Sequence, residues 1–434
     1  MKERIDRLFR GADLVIPLDE GDLRAGFRGE DFGKARVLEG GGAAVKDGRV
    51  AGVGPEAELR ARFEAAEVLE VGGGMIVPGF VDAHTHPIFG ATREEEFGKR
   101  CRGVDYVTIA REGGGILSSV RSLRATSEDD LTHLVAGRLR AFLALGTTTL
   151  EAKSGYGLSR EDELKSLRAL RRAAGEVPVT VSPTFLGAHE VPPEFREDPD
   201  AYVESLVFEM LPAARGLADS ADVFLEAHVF DLEQGRRILA AARDLGYRLR
   251  VHVDELSPLG GTELAVELGA ASADHLLEVS ERGIEGLSGS ETAAVLLPGT
   301  SFFLGKDRYA PGAELARRGA LIVLASDFNP GSCMTRNLSM IATVARLKFG
   351  FDGIACLQAM TLNAAVSLGL SRERGSLHAG KAADFLVLDL GSPEAFGYAF
   401  GESPVRMTIK EGRLVAVRGV RTARPGRELP WPGR

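Results

Sequence analysis

His84 and His86 stand one residue apart where the apolar run Ile76-Val77-Pro78-Gly79-Phe80-Val81-Asp82-Ala83 ends. Residues i and i+2 of an extended segment point to one face, so both imidazoles can be presented to a single cation that takes nitrogen and oxygen ligands. A bare His-x-His is common, and its weight comes from the polar residues downstream. Lys153, His189, His252, His275 and Asp327 stand at or just past the ends of later β-type runs. Asp327, after Leu321-Ile322-Val323-Leu324-Ala325-Ser326, is a costly carboxylate unless a cation, a hydrogen-bond network or a helix N-terminus compensates it. A metal is the natural compensation.

The elements that must position these side chains can be counted. Apolar and β-branched runs fall near 76–82, 147–153, 178–186, 221–228, 248–254, 271–275, 292–297 and 321–327, with helical stretches between them. Ser127 with Asp130 is a capping-box pattern, followed by Leu131, Leu134, Val135, Leu139, Phe142 and Leu143 on one face. Ser159 with Asp162 repeats the pattern. Eight strands with crossover helices predict an α/β fold, a closed (β/α)8 barrel of the TIM type, whose catalytic residues come from the C-terminal strand ends. Residues 43–50 and 407–414 both read as hairpins turning at an acidic-Gly pair. They place residues 1–74 and 376–434 together as a small β-sandwich beside a barrel of residues 75–375. Helices are expected near 332–349 and 352–370.

Composition narrows the partners. The chain has 434 residues, 44% hydrophobic and 26% charged, with a formal charge of −9, and so carries no basic footprint for nucleic acid or membrane. The N-terminus lacks the apolar core of a signal peptide and no apolar stretch approaches the roughly 20 residues of a spanning helix, which predicts a cytoplasmic enzyme of a small molecule. Cys101, Cys333 and Cys356 are too scattered for a disulfide framework or a zinc finger. Gly113-Gly114-Gly115 lacks the strand-to-helix setting of a phosphate loop.

Four motifs in order, Val81-Asp82-Ala83-His84-Thr85-His86-Pro87, Glu151-Ala152-Lys153-Ser154-Gly155-Tyr156-Gly157, Phe185-Leu186-Gly187-Ala188-His189-Glu190 and Ser326-Asp327-Phe328-Asn329-Pro330-Gly331-Ser332, resemble the amidohydrolase superfamily and, within it, the imidazolonepropionase family. The resemblance spans almost the whole chain. It implies the metal ligands His84, His86, His252 and Asp327, one divalent or trivalent ion per chain, zinc or iron, and a homodimer. It also implies hydrolysis of the lactam-like C–N bond of 4-imidazolone-5-propanoate, a small anionic substrate, to N-formimidoyl-L-glutamate in histidine degradation. Imidazole and carboxylate ligands suit several divalent metals and do not choose between zinc and iron.

An amide carbon is a poor electrophile and neutral water a poor nucleophile, whereas a bound metal lowers the pKa of water to about 7. On this reading Asp327 accepts a water proton, His275 orients the nucleophile or stabilises the oxyanion, and Glu255 passes a proton to the leaving nitrogen, the three roles being open to permutation. Glu255 is chosen over Asp254 because His-x-x-Glu spacing recurs in related enzymes. Arg93, seven residues after His86, is the candidate partner of the substrate carboxylate, since a net acidic protein needs a local cation there. The resemblance places Tyr106, Tyr156 and His189 against the substrate ring. Asn329, Gly331 and Ser332 are expected to begin a helix whose backbone N–H groups favour an anion. Lys153 is expected as an ammonium paired with Glu151 or a neighbour, and His133, His228 and His378 as structural or solvated. A purine- or pyrimidine-type deaminase and a binuclear cyclic amidase with a carbamylated Lys153 are the alternative readings within the same superfamily.

Overall fold

The computed structural model describes residues 1–21, 24–104, 108–109, 113–418 and 428–431. The N-terminal part supplies five strands, β1 (Glu3–Val15), β2 (Leu38–Lys46), β3 (Arg49–Pro55), β4 (Phe63–Glu70) and β5 (Met75–Pro78). The barrel strands come next as β6 (Phe80–Asp82), β7 (Thr147–Lys153), β8 (Thr180–Ala188), β9 (Ser220–Phe224), β10 (Arg248–Val253), β11 (Ser272–His275), β12 (Ala293–Leu296) and β13 (Leu321–Leu324). The chain ends in β14 (Phe385–Leu388), β15 (Val405–Lys410) and β16 (Arg413–Val417).

Strands β6 to β13 pair in chain order, all parallel, as the helix-alternating pattern requires. The sheet curls so that its first and last strands meet just beyond their ends. Thr85 bridges Phe328, the His86 N–H donates to the Phe328 carbonyl (2.8 Å), and the Asp327 N–H donates to the His84 carbonyl (3.0 Å). One turn lower, the Ser326 N–H donates to Asp82 Oδ1 (3.0 Å). The helices begin where the sequence signals them: Ser127 accepts from the Asp130 N–H at the start of Glu128–Ala144, and Ser159 from the Asp162 N–H at the start of Arg160–Glu176. Leu131, Val135, Leu139, Phe142 and Leu143 of the first are buried against the barrel.

The terminal segments form one continuous sheet in the order β16-β15-β14-β5-β1-β2-β3, with β4 added on β1. Its two arms enclose a shared core that includes Phe9, Val45, Phe385 and Ile409, with Phe9 and Phe385 in edge-to-face contact at 4.9 Å. Both expected hairpins are present, β2–β3 and β15–β16.

The run read as one strand over 76–82 is two. Met75–Pro78 pairs with β1 and β14 in the terminal sheet, and Phe80–Asp82 pairs with β7 in the barrel. Gly79 is the crossing point, where a Cβ would sit 2.3 Å from Thr148 Oγ1, so the two sheets approach more closely than any other residue allows. The helix expected over 332–349 starts only at Leu338, and the one expected over 352–370 is two, Gly353–Ala359 and Leu362–Ser367. No helix among the described residues is long and apolar enough to cross a membrane.

Gly79→Ala should lower stability by about 2 kcal/mol in urea unfolding through overpacking, and adding Thr148→Ala should recover part of that loss by opening the space.

Candidate active site

His84, His86, His252, His275 and Asp327 meet at the mouth of the barrel. His84 Nε2 lies 3.2 Å from His86 Nε2, and Asp327 Oδ1 lies 3.6 Å from the first and 3.4 Å from the second. Ligand atoms of His84, His86 and Asp327 fall within 4.8 Å of one another, and so do those of His84, His252 and His275. All five side chains are buried. The backbone is left-handed at His275 (φ 82°), Asp327 (φ 50°) and Asp254 (φ 51°), a conformation costing about 1–3 kcal/mol for a non-glycine residue and typical of sites that aim a side chain.

Two of the imidazoles are oriented from below. His84 Nδ1 donates to Asp274 Oδ2 at 2.6 Å and His252 Nδ1 to Asp222 Oδ1 at 3.0 Å. Burial, with the Lys153 ammonium and His252 close by, keeps His84 well below the usual imidazole range, and burial beside His189 and His252 does the same to His86. Burial works against charge on His252 as well, but the Asp222 carboxylate raises it above the ordinary value. Asp327 is raised by burial and accepts from the Thr300 hydroxyl (2.6 Å) and the Asn329 amide (3.1 Å).

Lys153 is not in the mouth. Its ammonium lies below, donating to Glu151 Oε1 and Asp222 Oδ2 at 2.6 Å each, with Asp274 Oδ2 at 3.8 Å. A carbamate there would add a fourth anion to the carboxylates of Glu151, Asp222 and Asp274, which disfavours the two-metal alternative.

The cavity over this cluster has a volume of about 510 Å³. Arg93 forms part of its wall, with a side chain only 7% exposed, and is braced by Glu96, which accepts from its Nε (2.9 Å) and Nη2 (2.7 Å). Gly331 lies directly beneath, where a Cβ would be 2.3 Å from Arg93 Nη1. Asn329, Gly331 and Ser332 line the same wall but begin no helix. They form a turn in which Asn329 Oδ1 accepts the N–H groups of Gly331 (2.8 Å) and Ser332 (2.7 Å), so those donors are committed internally and not to an anion.

Glu255 faces the cavity, 3.7 Å from His275 Nε2 and 3.8 Å from Lys306 Nζ. Burial opposes its charge, but His275 and Lys306 hold it below the usual carboxyl value. Its neighbour Asp254 is occupied by Thr262, accepting from both its hydroxyl and its N–H. His189 stacks on His86 (5.3 Å, 19°) and donates Nδ1–H to the Gly155 carbonyl (2.9 Å), leaving Nε2 an acceptor; burial and His252 lower its pKa to about 3. Tyr156 is buried 5.3 Å from the His189 ring. Tyr106 lies outside the described residues. His228 is exposed at the cavity rim, and His133 and His378 are exposed elsewhere.

Residues 75–415 match the model of the amidohydrolase family. The chain belongs to that family. This amidohydrolase is 45% identical over 421 residues to an imidazolonepropionase of Symbiobacterium thermophilum, covering 96% of this chain and 98% of the relative. It is 40% identical over 420 residues to an imidazolonepropionase of Bacillus velezensis, covering 96% and 99%. In fold it is similar to a zinc-bound adenosine deaminase from Xanthomonas campestris, with a TM-score of 0.71 at 18% identity over 98% of this chain and 95% of that one.

The amidohydrolase donor set fits a cation. His252 Nε2 is buried without a hydrogen-bond partner among the described residues, and the Nε2 atoms of His84 and His86 converge on the buried carboxylate of Asp327. Such nitrogen lone pairs and carboxylate oxygens repel one another unless a positive charge sits between them.

Several groups that shape the site escaped the sequence reading. Asp222 and Asp274 are carboxylates inside apolar strands, the same signal that singled out Asp327. Glu163, on the helix after β7, carries no such signal, yet its buried carboxylate accepts from the N–H groups of Gly155, Gly157 (2.7 Å) and Leu158 (2.9 Å), shaping the loop that carries Tyr156. Glu226 likewise accepts from the Leu256 N–H (3.0 Å) and the Ser257 hydroxyl, anchoring the chain just after Glu255. Glu163→Ala strands three buried donors and should cost about 3 kcal/mol in urea unfolding; a variant as stable as the parent would show that the loop holds itself.

Proposed function

We propose that this amidohydrolase hydrolyses the lactam-like C–N bond of 4-imidazolone-5-propanoate, giving N-formimidoyl-L-glutamate in histidine degradation. The observation that carries this reading is the near full-length identity to imidazolonepropionases, 45% and 40% over 96% of the chain. His84, His86, His252 and Asp327 would hold one ion per chain, zinc or iron, which would supply Lewis acidity for the ring carbonyl and for water at neutral pH.

The protein groups divide the remaining work. Glu255, held as a carboxylate by His275 and Lys306, takes a proton from the attacking water and returns it to the leaving ring nitrogen. His275 aims its imidazole at the same point and stabilises the oxyanion that forms at the carbonyl. Asp327, fixed by Thr300 and Asn329, orients the water. His189, neutral and with Nε2 as acceptor, receives a ring N–H beside Tyr156. Arg93 pairs with the propanoate carboxylate, and its seat on Gly331 and Glu96 sets the distance between that anchor and the reacting carbon.

Incubation of zinc- or iron-loaded protein with 4-imidazolone-5-propanoate should yield N-formimidoyl-L-glutamate by mass spectrometry, and an intact substrate alongside deamination of a purine or pyrimidine would refute the reading. Elemental analysis should find one metal per chain. Glu255→Gln should lower kcat by about 100-fold or more with the metal retained. Gly331→Ala, by displacing Arg93, should raise KM about tenfold with little change in kcat, which steady-state kinetics would resolve.

A further inference from the structure

Hydrolysis uses the side chains at the mouth, and in the charged layer beneath them only Asp222 and Asp274, against His252 and His84, have a task so far. Three carboxylates, Glu151, Asp222 and Asp274, and two cations, Lys153 and Arg250, are fully buried inside the barrel, where apolar branched residues usually fill the space. Glu151 Oε1 accepts from Lys153 (2.6 Å) and the Thr184 hydroxyl (2.6 Å) and lies 3.1 Å from Arg250 Nε. Arg250 also donates to the Ala83 carbonyl (2.9 Å), the residue before His84.

We propose that Lys153 is a positioning residue for the metal centre, fixing through Asp222 and Asp274 the ring orientation and tautomer of His252 and His84. The geometry divides Asp222 between two tasks: Oδ2 is taken by the Lys153 ammonium at 2.6 Å, which leaves Oδ1 aimed at His252 Nδ1. Asp274 Oδ2 receives His84 Nδ1–H while facing Lys153 Nζ and Arg250 Nη2 at 3.8 Å each. With both protons held at Nδ1, both Nε2 atoms turn bare lone pairs to the mouth. Take the ammonium away and Asp222 Oδ2 is buried without its donor, so the carboxylate turns and the His252 ring loses its stop.

This inference rests on the metal reading of the mouth, and the two fail differently. Zinc affinity is measured on the full chain by competition with a chelating dye, and imidazole tautomers by long-range 15N–1H NMR of the metal-free protein, for the parent and Lys153→Gln. The expected result is zinc binding weakened roughly 10- to 100-fold in the variant, a mixed tautomer at His252, and a KM of the zinc-saturated enzyme within about twofold of the parent. A purely structural role would lower the melting temperature and leave affinity and tautomers alone, and a folded Lys153→Gln chain with parental zinc affinity overturns the proposal. Should that variant not fold, Asp222→Asn, which keeps the shape and the Lys153–Glu151 pair, removes the carboxylate through which Lys153 acts, and parental zinc affinity in that variant overturns the proposal. A parent chain that takes up no zinc or iron would instead sink the metal centre itself.

Discussion

A ring nitrogen can serve a cation only if its proton is held on the other nitrogen, and at His84 and His252 that constraint is met by two buried carboxylates. Asp274 takes the Nδ1 proton of His84 and Asp222 that of His252. Carboxylates cannot sit uncompensated inside a barrel, so Lys153 and Arg250 accompany them, and Glu151 in turn accompanies the cations. The interior of the barrel is therefore an ionic layer where branched aliphatic side chains would ordinarily pack. Apolar burial is displaced outward, to the interface between strands and helices, where Leu131, Leu139 and Phe142 of one helix and Leu167 and Leu170 of the next are buried.

The loops above the strands obey a second regularity. Four of the segments that present groups to the cavity are each tied down by one side-chain acceptor that collects several donors. Glu163 serves the Tyr156 loop, Glu226 the chain after Glu255, Glu96 holds Arg93, and Asn329 closes the turn after Asp327. The left-handed backbone at Asp327 sits in such a surrounding, with Thr300 and Asn329 both donating to its carboxylate. These bonds fix where the side chains stand, as positioning within an ångström demands.

Much of this was legible in the chain. Alternation of apolar runs with capped helices specifies a parallel barrel because each signal is local: Ser127 and Ser159 cap where their side chains reach the third residue on. Histidines and an aspartate at apolar run ends mark the site for a related reason, since polar groups there need a function to offset their burial. What stayed hidden depends on distant partners. The split at Gly79 reflects Thr148, a residue on another strand. The turn at Asn329 replaces an expected helix start because the Asn side chain satisfies the N–H groups of Gly331 and Ser332 before a helix can use them. Glu163 reads as an ordinary acidic residue in a first helical turn, and only the folded loop reveals what it holds.

The same few bonds that shut the ring of strands also bring the ends of the site together. The His86 N–H and the Asp327 N–H are themselves the donors between the first and last strands. His84 and the carboxylate that steers it are 190 residues apart, so a fragment that ends before Asp274 lacks the group that orients its first ligand. A tight cation site therefore requires the strands from β6 to β13 to have found their neighbours first.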